Sequence, residues 1–307
     1  MPDPLVLDTQ MHGFDRITAA FVVKGEQTAL IETGAKSSVE TTISALDSVG
    51  VERVEWILVT HIHLDHAGGA GTLATRFPEA TIGVHEVGAP HLIDPSKLWA
   101  SAARIYGERM DQLWDGIDPI DPARIRPLKD GDVVDLGGRA LVAVDTPGHA
   151  SHHHAFFDPE RGDLFAGDAL GVLVPDAPVV RPATPPPEFD LEAALSSIQR
   201  VKALRPSALW LTHYGRHDDA RNRTADQTCD EAKTALERWA AWARAARAQG
   251  DDDKQVARRM RTLVRRDLEN DLSDDAIARL EQTTSYELNA SGLVRYLDKK
   301  EQSNASG

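Results

Sequence analysis

Four side chains that can bind a metal ion stand within six residues, at His61, His63, Asp65 and His66. They directly follow an apolar run over 54–59, which has the length and composition of a buried β-strand. The C-terminal end of a strand is where an α/β sheet opens a crevice for ligands, so the four side chains are expected at that edge. Because imidazole and carboxylate groups suit zinc and similar ions, the segment predicts a metal site.

Further potential metal ligands stand later in the chain. His149, Asp168 and His213 each follow the end of an apolar, strand-like run by a few residues at most. If these runs are strands of one layered domain, seven potential ligands emerge from four strand ends. We therefore expect the later three to converge with the first four on one metal centre.

The chain changes character near residue 218. Before it, bounded apolar runs predict strands at 17–23, 28–31, 54–59, 81–84, 140–144 and 207–211, with helical spacing at about 37–49, 68–77 and 190–204. After it, the strand patterns stop and Ala, Arg, Leu and Glu recur at helical spacing. We predict an α/β catalytic domain over 1–217, a helical region over 218–300 and a disordered tail over 301–307.

The net charge limits the partners that the chain can bind. It has 48 acidic and 34 basic residues, and the resulting formal charge of −14 repels phosphate backbones. No apolar run approaches the roughly 18 residues that span a bilayer, and the N-terminus has an acid and two prolines where a secretory signal would be basic and then apolar. We expect a small-molecule substrate, no nucleic acid, no membrane and a cytoplasmic location. The single cysteine, Cys229, fits a reducing compartment.

The ligand motifs resemble, in order and spacing, those of the metallo-β-lactamase superfamily, whose members are αββα sandwich hydrolases. The four matching motifs are Thr60–His66, Thr146–His149, Gly167-Asp168 and Thr212-His213. The resemblance implies one ion held by His61, His63 and His149, a second held by Asp65, His66 and His213, and a bridge by Asp168. It implies two divalent ions, zinc by default, with iron or manganese as alternatives. The motifs are most similar to those of the glyoxalase II branch.

Other residues depart from this pattern or add to it. Glu32 stands where many members have aspartate, and a carboxylate there would orient metal ligands without binding metal. For His152, His153 and His154, hydrogen bonding within a strand is favoured over direct ligation, and His153 is a candidate support for the ligands. The C-terminal helices stand where glyoxalase II carries its glutathione-binding domain, but no thiol-binding pattern matches there. Their apolar faces fit packing or a possible homodimer.

A pair of metal ions held in this way predicts a hydrolase. Two divalent ions about 3.5–4 Å apart lower the pKa of a shared water, so a bridging hydroxide would attack a small ester, thioester or lactone. Asp65 would orient this nucleophile and transfer its proton. An aromatic insertion with Trp99, Tyr106 and Trp114 would contact the apolar part of the substrate.

Three alternative functions fit the same motifs. An iron-dependent redox enzyme, similar to the persulfide dioxygenases of this fold, would share the first motif, whereas di-iron oxygen-reducing members commonly have glutamate in place of His63. A phosphodiesterase is disfavoured by the negative charge, although Arg216, Arg221 and Arg223 could form a local basic patch. A metal-binding sensor without catalysis is the third alternative. Metal content and oxygen consumption would separate the redox enzyme from a colourless zinc hydrolase.

Overall fold

The computed structural model of the chain describes residues 2–177, 179–218 and 222–305. It divides into two compact units. The first consists of Met1–Asp145 and His152–Gly167, and the second of Thr146–Ser151 and Asp168–Gly307. Arg221, one of the three arginines of the expected basic patch, lies outside the described residues.

Six strands of the first unit form a mixed sheet. In chain order, β1 to β6 are Leu5–Asp8, Ala19–Lys24, Thr28–Ile31, Trp56–Leu58, Thr81–His85 and Ile125–Leu128. Strands β1 to β3 pair antiparallel, and β3 to β6 pair parallel. Since parallel neighbours point the same way, the C-terminal ends of β3, β4 and β5 meet at one edge of the sheet. This edge carries the segment that begins at His61.

A second, antiparallel layer of the first unit consists of strands β7 to β10. Their bounds are Val133–Asp135, Ala140–Asp145, His154–Asp158 and Asp163–Gly167. Neighbouring strands pair in chain order. Between the layers, the ring of Phe165 lies 5.4 Å from that of Phe21, and both rings are fully buried. The first unit is therefore a sandwich of two sheets with a closely packed interior.

Helices connect the strands of the first unit. In chain order, α1 to α6 are Val39–Ser48, Leu64–Ala67, Ala70–Arg76, Ala89–Ile93, Ser96–Tyr106 and Met110–Trp114. On α1 and α3, Leu46 and Leu73 are buried in one cluster with Leu30, Ile57 and Ile82 of the first sheet. Full burial of each such side chain contributes about 1.5–3 kcal/mol. This packing holds β4 firmly and fixes the start of the turn that follows it.

The second unit contains a short hairpin and long helices. Its strands β11 and β12 are Ala208–Leu211 and Gly215–Arg216, which pair antiparallel. Its helices α7 to α11 are Leu191–Ala203, Ala225–Arg247, Asp253–Asp267, Asp274–Thr283 and Tyr286–Ala305. Thr224 and Asp252 start α8 and α9 with capping boxes, in which each exchanges hydrogen bonds with a glutamine three residues later.

The C-terminal end differs from the sequence prediction. Residues 301–305, expected to belong to a disordered tail, continue α11, because the preceding turns already supply the nucleus and three of the five residues, Glu301, Gln302 and Ala305, are good helix formers. Residues 306 and 307 lie outside the described residues. The boundaries at 217 and 300 stay predictions. None of the helices described combines the length and the apolarity that crossing a bilayer requires.

A buried arginine between the two layers of the first unit carries a stability prediction. Arg139 is 2% exposed and donates to Asp158 Oδ2 at 2.7 Å. Replacing Arg139 with alanine leaves the buried carboxylate of Asp158 without this partner, so the free energy of unfolding should fall by about 3–5 kcal/mol. Urea unfolding measures this free energy, and Arg53→Ala serves as the control. The Arg53 side chain is 79% exposed and pairs with Glu55, so its loss should cost less than about 1 kcal/mol. Equal effects of the two variants would contradict the prediction.

Candidate metal centre

The first four predicted ligands lie together at the C-terminal end of β4, in the first unit. His61 and His63 occupy the turn after β4, and Asp65 and His66 belong to the short helix α2. The ring centroids of His61 and His66 are 4.0 Å apart, and those of His61 and His63 are 4.5 Å apart. His61 Nε2 lies 2.9 Å from His63 Nδ1. Two imidazole nitrogens at this distance either share a proton or face a common cation.

Glu32 orients two of these histidines through hydrogen bonds. It follows β3, is fully buried, and accepts from Thr60 Oγ1 at 2.6 Å and from His66 Nδ1 at 3.0 Å. Since the one hydroxyl hydrogen of Thr60 goes to Glu32, Thr60 Oγ1 accepts the hydrogen bond from His61 Nδ1 at 3.0 Å. Both His61 and His66 therefore carry their proton on Nδ1 and present Nε2 as a ligand atom. The expected orienting role of Glu32 agrees with this geometry, whereas the part played by Thr60 was not foreseen.

The histidine run that follows the second motif also lies in the first unit. The ring of His153 is 4.9 Å from that of His61, and the ring of His152 is 5.7 Å from that of His63. His154 points elsewhere, because its Nε2 donates to the carbonyl of Val59 at 3.0 Å. His154 is thus a strand residue bonded to backbone, as the sequence favoured. His152 and His153 instead lie beside the ligand candidates, with His152 next to His63 and His153 next to His61.

The buried His154 makes the stability of the chain depend on pH. Burial lowers the pKa of His154 to about 3. Between about pH 3 and 6.5 the unfolded chain binds a proton here that the folded chain does not, so stability falls as the pH drops through this window, by up to about 1.4 kcal/mol per unit. His154→Gln keeps a donor for Val59 but cannot titrate. Urea unfolding of chelator-treated protein from pH 4 to 7 gives the free energy of unfolding as a function of pH. This dependence should have a shallower slope for the variant than for the wild type, and equal slopes would contradict the prediction.

The other three predicted ligands lie together in the second unit. The two oxygens of Asp168 face different histidines: Oδ2 lies 3.4 Å from His149 Nε2, and Oδ1 lies 3.5 Å from His213 Nε2. All three residues are at most 7% exposed. Asp168 follows β10, and His213 follows β11, so strand ends position these two side chains. Asp168 therefore directs one carboxylate oxygen toward each of the two histidines.

His149 is held in one orientation by its own neighbours. Its Nδ1 donates to the carbonyl of Ala183 at 3.0 Å, which leaves Nε2 to face Asp168. The preceding Gly148 has φ +129°, and a Cβ there would lie 2.3 Å from the backbone nitrogen of Ala194. Only glycine fits this position, so the backbone before His149 is fixed as well.

The chemistry of both groups fits a transition-metal ion. Neutral imidazole and carboxylate are the donors that zinc, iron and manganese accept in proteins. Five of the seven candidate donors are buried, and hydrogen bonds on the far sides of His66 and His149 orient their rings, as is usual for metal ligands. Histidine and aspartate clusters of the described residues could hold a metal ion.

Comparison with known proteins gives the family. The sequence matches the family model of the metallo-beta-lactamase superfamily over residues 12–213. The metallo-beta-lactamase fold-containing protein ST1585 from Sulfurisphaera tokodaii is 28% identical over 207 residues, which cover 66% of this chain and 74% of that protein. A hydroxyacylglutathione hydrolase from Hyphomonas neptunium is 27% identical over 222 residues, 71% of each chain.

The fold extends over nearly the whole chain. The crystal structure of the archaeal superfamily protein ST1585 from Sulfolobus tokodaii has a TM-score of 0.67 at 21% identity and covers 95% of this chain and 97% of that chain. This likeness includes the helices after β12, which the family model does not reach. The chain therefore belongs to the metallo-β-lactamase superfamily and has its αββα fold, followed by a helical C-terminal region.

Proposed function

We propose that this protein is a dinuclear metal-dependent hydrolase that acts on a small ester, thioester or lactone. The ligands of one ion would be His61, His63 and His149, those of the other Asp65, His66 and His213, with Asp168 between them. The observation that carries the proposal is the placement of Asp168, with one oxygen facing His149 and the other facing His213. The superfamily match and a relative named as a hydrolase support the reaction class.

The residues of the chain would contribute orientation and proton transfer. When bound, a pair of divalent ions would lower the pKa of a shared water and polarise the substrate carbonyl. Glu32 and the Ala183 carbonyl hold the histidine tautomers, so the ligand nitrogens need no reorganisation. Asp65, whose side chain is 18% exposed, retains access to solvent and would accept the proton of the nucleophile and pass it to the leaving group.

The surroundings of Tyr106 fit a substrate that has both an oxygen able to accept a hydrogen bond and an apolar part. Burial, and next the negative charge of Asp65, raise the pKa of Tyr106 well above its ordinary value. Its hydroxyl therefore stays protonated at neutral pH and can donate a hydrogen bond to a substrate oxygen. The ring of Tyr106 packs edge-on against Trp114, with centroids 5.1 Å apart, and provides apolar surface beside that donor. Trp99 instead lines an open groove with Ile93 and Ile117.

Several parts of the proposal rest on sequence alone. Zinc stays the default metal, with iron and manganese as alternatives. A small-molecule partner, a cytoplasmic location and a possible homodimer also stay predictions.

A hydrolysis screen with metal analysis tests the proposed function. Purified protein would be assayed on thioesters, lactones, simple esters, β-lactams and phosphodiesters, with metal content measured on the same sample. We expect about two metal ions per chain, turnover on one of the first three classes, and loss of that turnover after chelation. A matched sample reloaded with zinc after chelation controls for irreversible damage. A folded protein that takes up no transition metal would disprove the proposal.

The same samples separate the hydrolase from the redox alternative. A persulfide dioxygenase would contain one iron per chain and consume oxygen with a persulfide substrate, whereas a zinc hydrolase is colourless and consumes none. Oxygen uptake in step with turnover would overturn the proposed reaction class while leaving the metal ligands in place.

A further inference from the structure

The Pro-rich loop over 170–189, of which residue 178 lies outside the described residues, touches every candidate ligand of the second unit. The contacts are hydrogen bonds from Gly171 N to Asp168 O, from Leu173 N to His213 O and from His149 Nδ1 to Ala183 O. The conformation of this one loop therefore determines how three metal-ligand candidates are presented.

A buried side-chain amide of helix α11, that of Asn289, holds the loop. Thr184 N donates to Asn289 Oδ1 at 2.7 Å, and Thr184 Oγ1 lies 2.9 Å from the same oxygen. Asn289 Nδ2 in turn donates to Thr284 Oγ1 at 3.0 Å. Asn289 is fully buried. At Gly292, one turn along the helix, an added Cβ would lie 1.8 Å from the carbonyl oxygen of Thr184, so only glycine allows this close approach.

A second anchor joins the same loop to α10 and to the segment after α9. The guanidinium of Arg181 donates to Glu269 at 2.8 Å and to Glu281 at 2.6 Å, and it lies 4.4 Å from the ring centroid of Tyr286. Arg181 is 1% exposed and also pairs through its backbone with Val172. The C-terminal helices therefore fix the loop at two residues, Arg181 and Thr184, on either side of the Ala183 carbonyl that contacts His149.

One peptide group links the helix to the metal ligand. Thr184 N and the Ala183 carbonyl belong to the same peptide unit, which is planar and rigid. Its N–H is bonded to Asn289 Oδ1, and its carbonyl accepts from His149 Nδ1. Holding the N–H therefore fixes the direction of the carbonyl, and the bond at one end polarises the other.

We propose that Asn289 is a positioning residue for His149, acting through the peptide group between Ala183 and Thr184. The consequence for metal binding rests on the proposed function, because it assumes that His149 Nε2 binds an ion. The C-terminal helices then serve the metal centre, by keeping His149 in the tautomer that leaves Nε2 free.

Two variants of Asn289 test this role. Asn289→Leu keeps the branching at Cγ and the number of side-chain heavy atoms but removes the acceptor, whereas Asn289→Asp keeps an oxygen for Thr184. In metal-free full-length protein at a fixed pH of about 8, ¹⁵N NMR of the His149 ring should show the Nδ1–H tautomer for the wild type and for Asn289→Asp. Asn289→Leu should show a mixture of tautomers. In a competition assay between the protein and a chelator for zinc, Asn289→Leu should bind one of its two zinc equivalents about 10-fold to 100-fold more weakly than the wild type does.

A matched control separates positioning from a general loss of stability. Val256→Ala makes a cavity at a fully buried position of α9 and leaves the hydrogen bonds of Asn289 in place. It should lower the melting temperature but keep the wild-type tautomer and zinc affinity. The proposal would be overturned if Val256→Ala changed the His149 tautomer and the zinc affinity as much as Asn289→Leu does. It would also be overturned if Asn289→Leu kept the wild-type tautomer and zinc affinity. A wild-type protein that shows the Nδ1–H tautomer but binds no zinc would instead overturn the proposed function alone.

Discussion

Replacing Asp168 with alanine is expected to remove at least one of the two metal ions and to lower kcat/KM by about 10³-fold or more. Each of its oxygens faces a different histidine, so alanine would take away an anionic ligand from both positions at once. A catalytic metal contributes several kcal/mol of transition-state stabilisation, and about 1.4 kcal/mol corresponds to a factor of ten. Metal analysis after dialysis and steady-state kinetics on the best substrate measure the two effects.

Asp176→Ala is the matched control for this variant. Asp176 lies in the Pro-rich loop over 170–189, which begins shortly after Asp168; its side chain is 46% exposed, and its Oδ2 lies 3.6 Å from Arg279 Nε. The substitution removes the same charge from a nearby position, and it should leave metal content and kcat/KM within about twofold of wild type because exposed pairs contribute little. An Asp168→Ala protein that keeps two ions and full turnover would show that Asp168 is not a bridging ligand.

The positions of the ligand candidates could be predicted because they obey a local rule. His61, Asp168 and His213 each follow the end of an apolar run, and in the structure each follows a strand. Strand ends are fixed by patterns within a few residues, and the polar side chains next to them are visible in the sequence. The same holds for α8, whose capping box between Thr224 and Gln227 is a readable start signal.

The groups that orient the ligands could not be predicted in the same way. Thr60 and Glu32 are 28 residues apart, and His149 and Ala183 are 34 residues apart. Ala183 acts through its backbone carbonyl, which every residue type has, so no side-chain pattern marks it. Only the resemblance of its position to that of a family aspartate marks Glu32 in the sequence. Such contacts depend on how distant segments pack, which periodicity does not encode.

Short strands and the chain end show a related limit. Strands β1 and β6 have four residues each, and β6 contains Pro127. A run of this length gives too few alternations to be told from a loop, and a proline lowers the expectation of a strand further. The end of α11 shows the same limit, because polar composition near a terminus predicts fraying, whereas the helix continues to Ala305.

Asp65→Asn should lower kcat by about 10²-fold to 10⁴-fold while both metal ions stay bound. Asparagine keeps an oxygen that can bind metal but cannot accept a proton at neutral pH. If Asp65 passes the proton of the nucleophile to the leaving group, the loss should be larger for a substrate with an alkoxide leaving group than for a p-nitrophenyl ester, whose leaving group needs no proton. KM should change little, because the interaction belongs to the transition state.

The comparison of leaving groups decides between two roles for Asp65. Asp47→Asn is the control, since Asp47 lies in the same unit, has a side chain that is 56% exposed and pairs only at the surface with Arg76. It should behave as wild type with both substrates. An equal loss of kcat for both substrates in Asp65→Asn, together with a lower metal content, would mean that Asp65 acts only as a ligand. In that case the proton would have to leave the nucleophile by a route other than Asp65, and Tyr106 could not accept it, because its raised pKa keeps the hydroxyl protonated.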